Sequence, residues 1–181
     1  MISRILYSDR KIEAMEEIQR WYETIEYLKK LYVENVELPV AEEILALAIF
    51  QCWYTYNVLP DTAIRYQIFE DIIYYKETWR RLISVGLDRY YDSPHICWMI
   101  GYTAFTENIH FYSHLKRFGE DMMKRGISLS NLDLPYDILS GKKRRYQNDL
   151  YLIRPKILFP SNSAADKYFR KKLEDTGLTF G

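Results

Sequence analysis

Between Ile44 and Tyr56 the chain runs almost unbroken through apolar side chains, Ile44-Leu45-Ala46-Leu47-Ala48-Ile49-Phe50-Gln51-Cys52-Trp53-Tyr54-Thr55-Tyr56. A helix apolar on nearly every side is stable in water only when other elements wrap it. The run is too short to cross a bilayer, so it predicts the central helix of a globular core. Pro39 suits the first turn of that helix, and Glu42 and Glu43 lie near its positive end.

The flanking sequence supplies the wrapping. Ile12, Met15, Ile18, Tyr22, Ile25, Leu28 and Tyr32 step by three or four, predicting one helix from Ser8 or Asp9 to about Val33 with Glu13, Glu16 and Glu17 on its solvated face. Asp61 caps an expected third helix, about Thr62 to Val85, which Gly86 stops; its core stripe is Ile64, Ile68, Ile72, Tyr75, Trp79 and Leu82. Asp92-Ser93-Pro94 starts a fourth helix through Phe105. A fifth is expected over His114 to Lys124, with Gly119 inside it and Gly126 as its stop. Residues 128–160 lack a clear period, and a last helix runs from about Ser163 to Leu173 before Gly177. With 7 Gly and 6 Pro in 181 residues, tight turns are few. The expectation is an all-α single domain over 1–181, built of antiparallel helical hairpins at 8–126 with a less regular segment at 127–181.

Composition bears on where such a chain works. The 17 Tyr are an excess suited to half-buried surfaces and interfaces, because the ring packs while the hydroxyl stays available. Cys52 and Cys97 both sit inside apolar helical patterns and are expected as buried free thiols in a reducing compartment. The opening residues carry no apolar signal region, so the chain is expected in the cytoplasm, away from membranes. Charge balances at 25 against 25, but residues 1–80 hold 14 acids against 9 bases and the remainder the reverse imbalance. An acidic half thus meets a basic tail.

No pattern in the chain points to catalysis, and no cofactor or metal is expected. Glu107, His110 and His114 would share a helical face, but a bundle metal site needs a second such motif and further carboxylates. Ser140-Gly141-Lys142-Lys143 lacks the preceding glycine of a phosphate loop. Adjacent acids such as Glu42-Glu43 and Glu70-Asp71 point about 100° apart on a helix and do not flank a substrate. The basic run Lys142 to Arg145, ahead of Tyr146, raises nucleic-acid binding, against which the neutral total charge argues. On the third helix Tyr66, Glu70, Tyr74 and Glu77 fall on the face away from the core stripe. They are either a gripping surface or tyrosines that cover a neighbouring helix.

Trp98-Met99-Ile100-Gly101-Tyr102 resembles the first-helix signature of tetratricopeptide-like hairpins, where a glycine lets the partner helix approach closely, and Gly119 to Gly126 looks like the second helix. The resemblance implies a tetratricopeptide-like stack. Joined to the Trp- and Tyr-rich N-terminal half, it makes the chain similar to helical immunity proteins of bacterial contact-dependent growth inhibition and related toxin systems. Those proteins bind and neutralise a toxin domain, often a nuclease with a basic groove. The resemblance implies a non-enzymatic bacterial protein whose partner-binding residues are Glu42, Glu43, Tyr66, Glu70, Asp71, Tyr74 and Glu77, set against a basic toxin surface. A helical-repeat adaptor using residues 94–126 is the alternative, with a nucleic-acid binder behind it.

Overall fold

The computed structural model describes residues 7, 9–57, 69–107, 113–129, 139, 159 and 161–177, with the helical backbone alone described at 69–71 and 113. Seven helices are delimited among them: α1 Arg10–Glu17, α2 Trp21–Glu34, α3 Val40–Asn57, α4 Phe69–Arg89, α5 Pro94–Thr106, α6 Ser113–Leu129 and α7 Ala164–Glu174. The described residues contain no strand, so the all-α expectation holds. None of the described helices is long and apolar enough to cross a membrane.

α3 is the central helix. Every side chain from Ile44 to Trp53 on it is buried, Gln51 included. α2, α4 and α5 all pack on α3 and run antiparallel to their chain neighbours. Trp21 meets Tyr54 at one end of α2 and Tyr32 meets Tyr90 at the other, where Tyr90 donates to the Val36 carbonyl at 3.4 Å. Farther along, Trp79 Nε1 donates to Thr103 Oγ1 at 3.2 Å, pinning α4 to α5 inside the core. α7 closes the other flank through Tyr168 and Phe169, whose rings lie 5.0–5.8 Å from those of Phe50 and Trp53.

The N-terminal stripe does not form one helix. Ile18 leaves the helical conformation and Gln19 takes φ 59°, with Gln19 N–H donating to the Glu16 carbonyl and Arg20 N–H to that of Met15. This is a Schellman closure, which places the residue after the helix in the left-handed region. The break ends α1 at Glu17 and turns α2 away, leaving Ile18 and Tyr22 exposed and Glu16 buried, contrary to the continuous stripe.

Glycines expected as helix stops prove to be packing sites within helices. Gly86 lies inside α4, where an added Cβ would come 3.0 Å from side-chain carbons of Ile96 and Ile100. α6 continues past Gly126 to Leu129. A Cβ at Gly126 would lie 2.7 Å from the Trp98 nitrogen, and one at Gly101 would lie 2.7 Å from the Gly119 carbonyl oxygen. α5 and α6 therefore touch backbone to backbone along their length. Among the described residues this close contact belongs to one hairpin and does not by itself establish a tetratricopeptide-like stack.

Caps fall where the side chains allow them. Ser93 accepts from Ile96 N–H ahead of Pro94, and Ser163 accepts from Asp166 N–H at the start of α7. Cys52 and Cys97 are free and buried. Tyr66 and the segments 58–68 and 140–158 lie outside the described residues, as do His110 and Lys142 to Arg145.

The two glycine geometries give opposite signs of mutational effect. In an ordinary exposed helix Gly→Ala stabilises by about 1 kcal/mol. Gly119→Ala should instead destabilise by about 3 kcal/mol or more, because its Cβ would meet the α5 backbone, which cannot yield as a side chain does. Gln19→Gly should stabilise by up to about 1 kcal/mol, since glycine adopts the left-handed conformation without strain. Urea denaturation of both variants against the parent chain reads each sign directly.

Candidate functional site

The expected binding residues divide between different parts of the fold. Glu42 and Glu43 are half-buried in the first turn of α3. Burial holds the His95 imidazole below its ordinary value, and the Glu42 carboxylate opposes part of that shift. Glu70 and Asp71 belong to the first turn of α4. Tyr66 lies outside the described residues, and its side chain is not placed.

Tyr74 and Glu77 do line a common groove, but a charge-balanced one. The groove lies between α2 and α4, encloses about 260 Å³, and is lined by Lys29, Tyr74, Glu77, Thr78, Arg81 and Leu82. Tyr74 is half-buried and donates its hydroxyl to Glu26 Oε1, while its ring packs on Tyr22 at 5.1 Å. Lys29 also bonds Glu26 Oε1, at 2.6 Å. Burial drives the Tyr74 hydroxyl well above its ordinary value, and the Glu26 carboxylate adds to the rise. Tyr74 thus holds α4 to α2. Glu77 is exposed and faces Arg81 at 3.6 Å across one helical turn, a pair worth little in water.

Other sequence candidates have structural duties. Glu107 accepts from the Tyr56 hydroxyl and from Asn57 Nδ2 at 2.9 Å, tying the ends of α3 and α5 together. No group of three metal-ligating side chains occurs among the described residues. Helix α5, the inner arm of the 94–126 hairpin, is buried from Ile96 to Ala104.

A larger cleft lies between α1 and α7. α1 and α7 meet 148 positions apart in the chain: Glu16 Oε2 accepts from Ala164 N–H at 2.6 Å, and Glu13 Oε1 from Asn162 N–H at 3.3 Å. Two carboxylates one turn apart on α1 thereby occupy donors at the start of α7, where a helix leaves N–H groups without internal partners. Beside this contact lies a cleft of about 520 Å³. Glu13, Glu16 and Glu17 form one wall, Lys167, Lys171 and Lys172 with Asp175 at the helix end another, and Trp21, Tyr54 and Tyr168 supply aromatic surface. The sequence shows both the acids and the lysines, but as two separate solvated helix faces. Only the docking of α7 on α1 makes them opposite walls.

Glu16 is the unusual group in this cleft. It is 7% exposed, and while Oε2 is bonded, Oε1 has no hydrogen-bond partner in the protein. Burial pushes its carboxyl up to about 7, and the Ala164 N–H and Lys167 offset only part of the rise. Glu13 and Asp166 add to it. Comparison with protein-family models, curated proteins and solved structures finds no match for this chain.

The raised Glu16 value links stability to pH. Between the ordinary 4.5 and about 7 the folded chain keeps a proton that the unfolded chain has released. Stability is therefore fully present below the unfolded value and is lost as pH rises through the folded one, by about 3 kcal/mol in total. Glu16→Gln retains an acceptor for Ala164 N–H and should flatten this slope. Urea denaturation of both proteins at several pH values between about 5 and 8 should show the parent chain losing stability relative to the variant. Parallel pH profiles would count against the assignment.

Proposed function

We propose that this chain is a toxin-neutralising immunity protein that binds a basic partner surface through one end of its helical bundle. What supports the reading is the clustering of exposed apolar side chains with acids at that end. The antiparallel order gathers the C-terminal ends of α2, α4 and α6 with the N-terminal ends of α3 and α5. Exposed Val33, Leu38, Tyr91 and Leu129 lie on these ends and connections, four of the seven large apolar side chains exposed among the described residues.

Glu34, Glu37, Glu42, Glu43, Asp88 and Asp92 share this end with Lys30, Arg89, Lys124 and Arg125. Three of the bases are engaged internally, Lys124 by Asp121 at 3.7 Å. Lys30 faces Glu34 at 3.7 Å, and Arg125 bonds Asp92 at 2.6 Å while stacking on the Tyr91 ring. An acidic rim around separate apolar anchors is the arrangement that steers a cationic protein surface and then excludes water from the contact. Glu42 and Glu43 belong to this surface. Tyr74, which pairs with Glu26 nearer the other end of α2, and Glu77 lie outside it. Binding of this kind requires no catalytic group.

Growth rescue tests the reading. The toxin domain of a secreted protein encoded beside this chain should arrest growth when produced alone, and co-production of the chain should restore growth. Leu38→Arg with Glu37→Lys should weaken the purified complex at least about tenfold, mainly through repulsion and loss of an apolar anchor. Arrest that the parent chain leaves unrelieved, or affinity that the double variant leaves unchanged, would refute the proposal.

A further inference from the structure

At the opposite end of the bundle from that surface lies the cleft between α1 and α7. Its opposed charges suit a ligand carrying both signs. We propose that it is a binding site for a small amphoteric molecule of the basic amino acid class, with a cationic nitrogen on Glu16 and a carboxylate on the lysines of α7.

Four observations carry this. The cleft's volume of about 520 Å³ lies within the range of small-molecule sites. Glu16 lines the cleft and its Oε1 is buried beneath the wall without a protein partner, so a ligand N–H donor that draws this carboxylate outward satisfies a polar atom that the fold leaves unsatisfied. Tyr54 lies 6.1 Å from Trp21 and 5.9 Å from Tyr168 in edge-on pairs, an aromatic lining suited to a planar cation such as guanidinium. Lys167 and Lys171, one helical turn apart on α7, supply the opposing charge for a carboxylate. Lys172 is held nearer the Tyr168 ring, 5.4 Å from its centre.

The carboxylate wall and the lysine wall select against simple ions of either sign. A lone anion would face Glu13 and Glu17, and a lone cation would face the three lysines. A molecule with both charges separated by a short chain meets each wall with its complement. This reading is independent of the immunity proposal, since it concerns different residues at the other end of the bundle.

The test uses L-arginine as probe, with agmatine, which lacks the carboxylate, as comparison. Titration calorimetry on the full chain should show one saturable site for L-arginine. Glu16→Gln should weaken it by roughly tenfold or more. Lys171→Ala should weaken L-arginine but strengthen agmatine, whose second cation the lysine repels, and agmatine should bind less tightly than L-arginine to the parent chain. Trp21→Leu, at a half-buried position, should reduce both ligands and serves as a second variant if Glu16→Gln disturbs folding. Absence of arginine binding up to about 10 mM would overturn the proposal. So would binding indifferent to both Glu16→Gln and Trp21→Leu, or agmatine binding as tightly as L-arginine.

Discussion

Burial of α3 on all sides is the constraint from which the rest of the fold follows. One amphipathic partner can cover only a stripe, so a helix apolar nearly all round needs several. α2 covers it with Ile25, Leu28 and Tyr32, α4 and α5 pack on it together, and α7 lays Tyr168 and Phe169 against Phe50 and Trp53. The tyrosine excess has its explanation here. Tyr102 and Tyr168 pack their rings into this aromatic cluster and join hydroxyls at 2.9 Å, while Tyr56 and Tyr74 give theirs to Glu107 and Glu26. Many tyrosines thus serve as core rings that satisfy their own polar ends.

The α5–α6 hairpin adds a second constraint, of shape more than of apolar area. Gly101, Gly119 and Gly126 remove the side chains that would hold the two backbones apart, and Trp98, Phe105 and Met123 then pack around the contact. Glycine is costly inside a helix, so its repeated use is compensated by close packing with a neighbour. The sequence resemblance anticipated this role for Gly101. For Gly86 and Gly126, local reasoning predicted stops, because a glycine that ends a helix and one that admits a neighbour look alike until the neighbour is placed.

Charge follows the same pattern. The acidic N-terminal half and the basic tail read as separate surfaces seeking separate partners. In the folded chain Glu13, Glu16 and Glu17 stand across a cleft from Lys167, Lys171 and Lys172, so part of that asymmetry is answered internally. Glu34 and Glu37 at the α2–α3 connection lie next to exposed Val33 and Leu38 in the chain. The two ends of the bundle therefore differ in kind: one carries acids and exposed apolar side chains, the other a cleft with both signs of charge.

Local sequence signals were enough to mark where most helices lie and which one is central. Apolar period, proline position and the Ser93 and Ser163 caps are local signals, and local backbone preference together with side-chain pattern is enough to specify a helix. Tertiary structure alone decided what local signals cannot carry. Gln19 adopts a left-handed conformation, as residues other than glycine seldom do, so nothing in the even spacing from Ile12 to Tyr32 announced the break. Tyr74 on the marked face of α4 became a clasp because Glu26 arrives from another helix. Glu16, placed on a solvated face by periodicity, became the buried wall of a cleft because α7 docks on it from 148 residues away. Such a contact depends on the path of the whole chain, and pairing over that distance leaves no trace in local spacing.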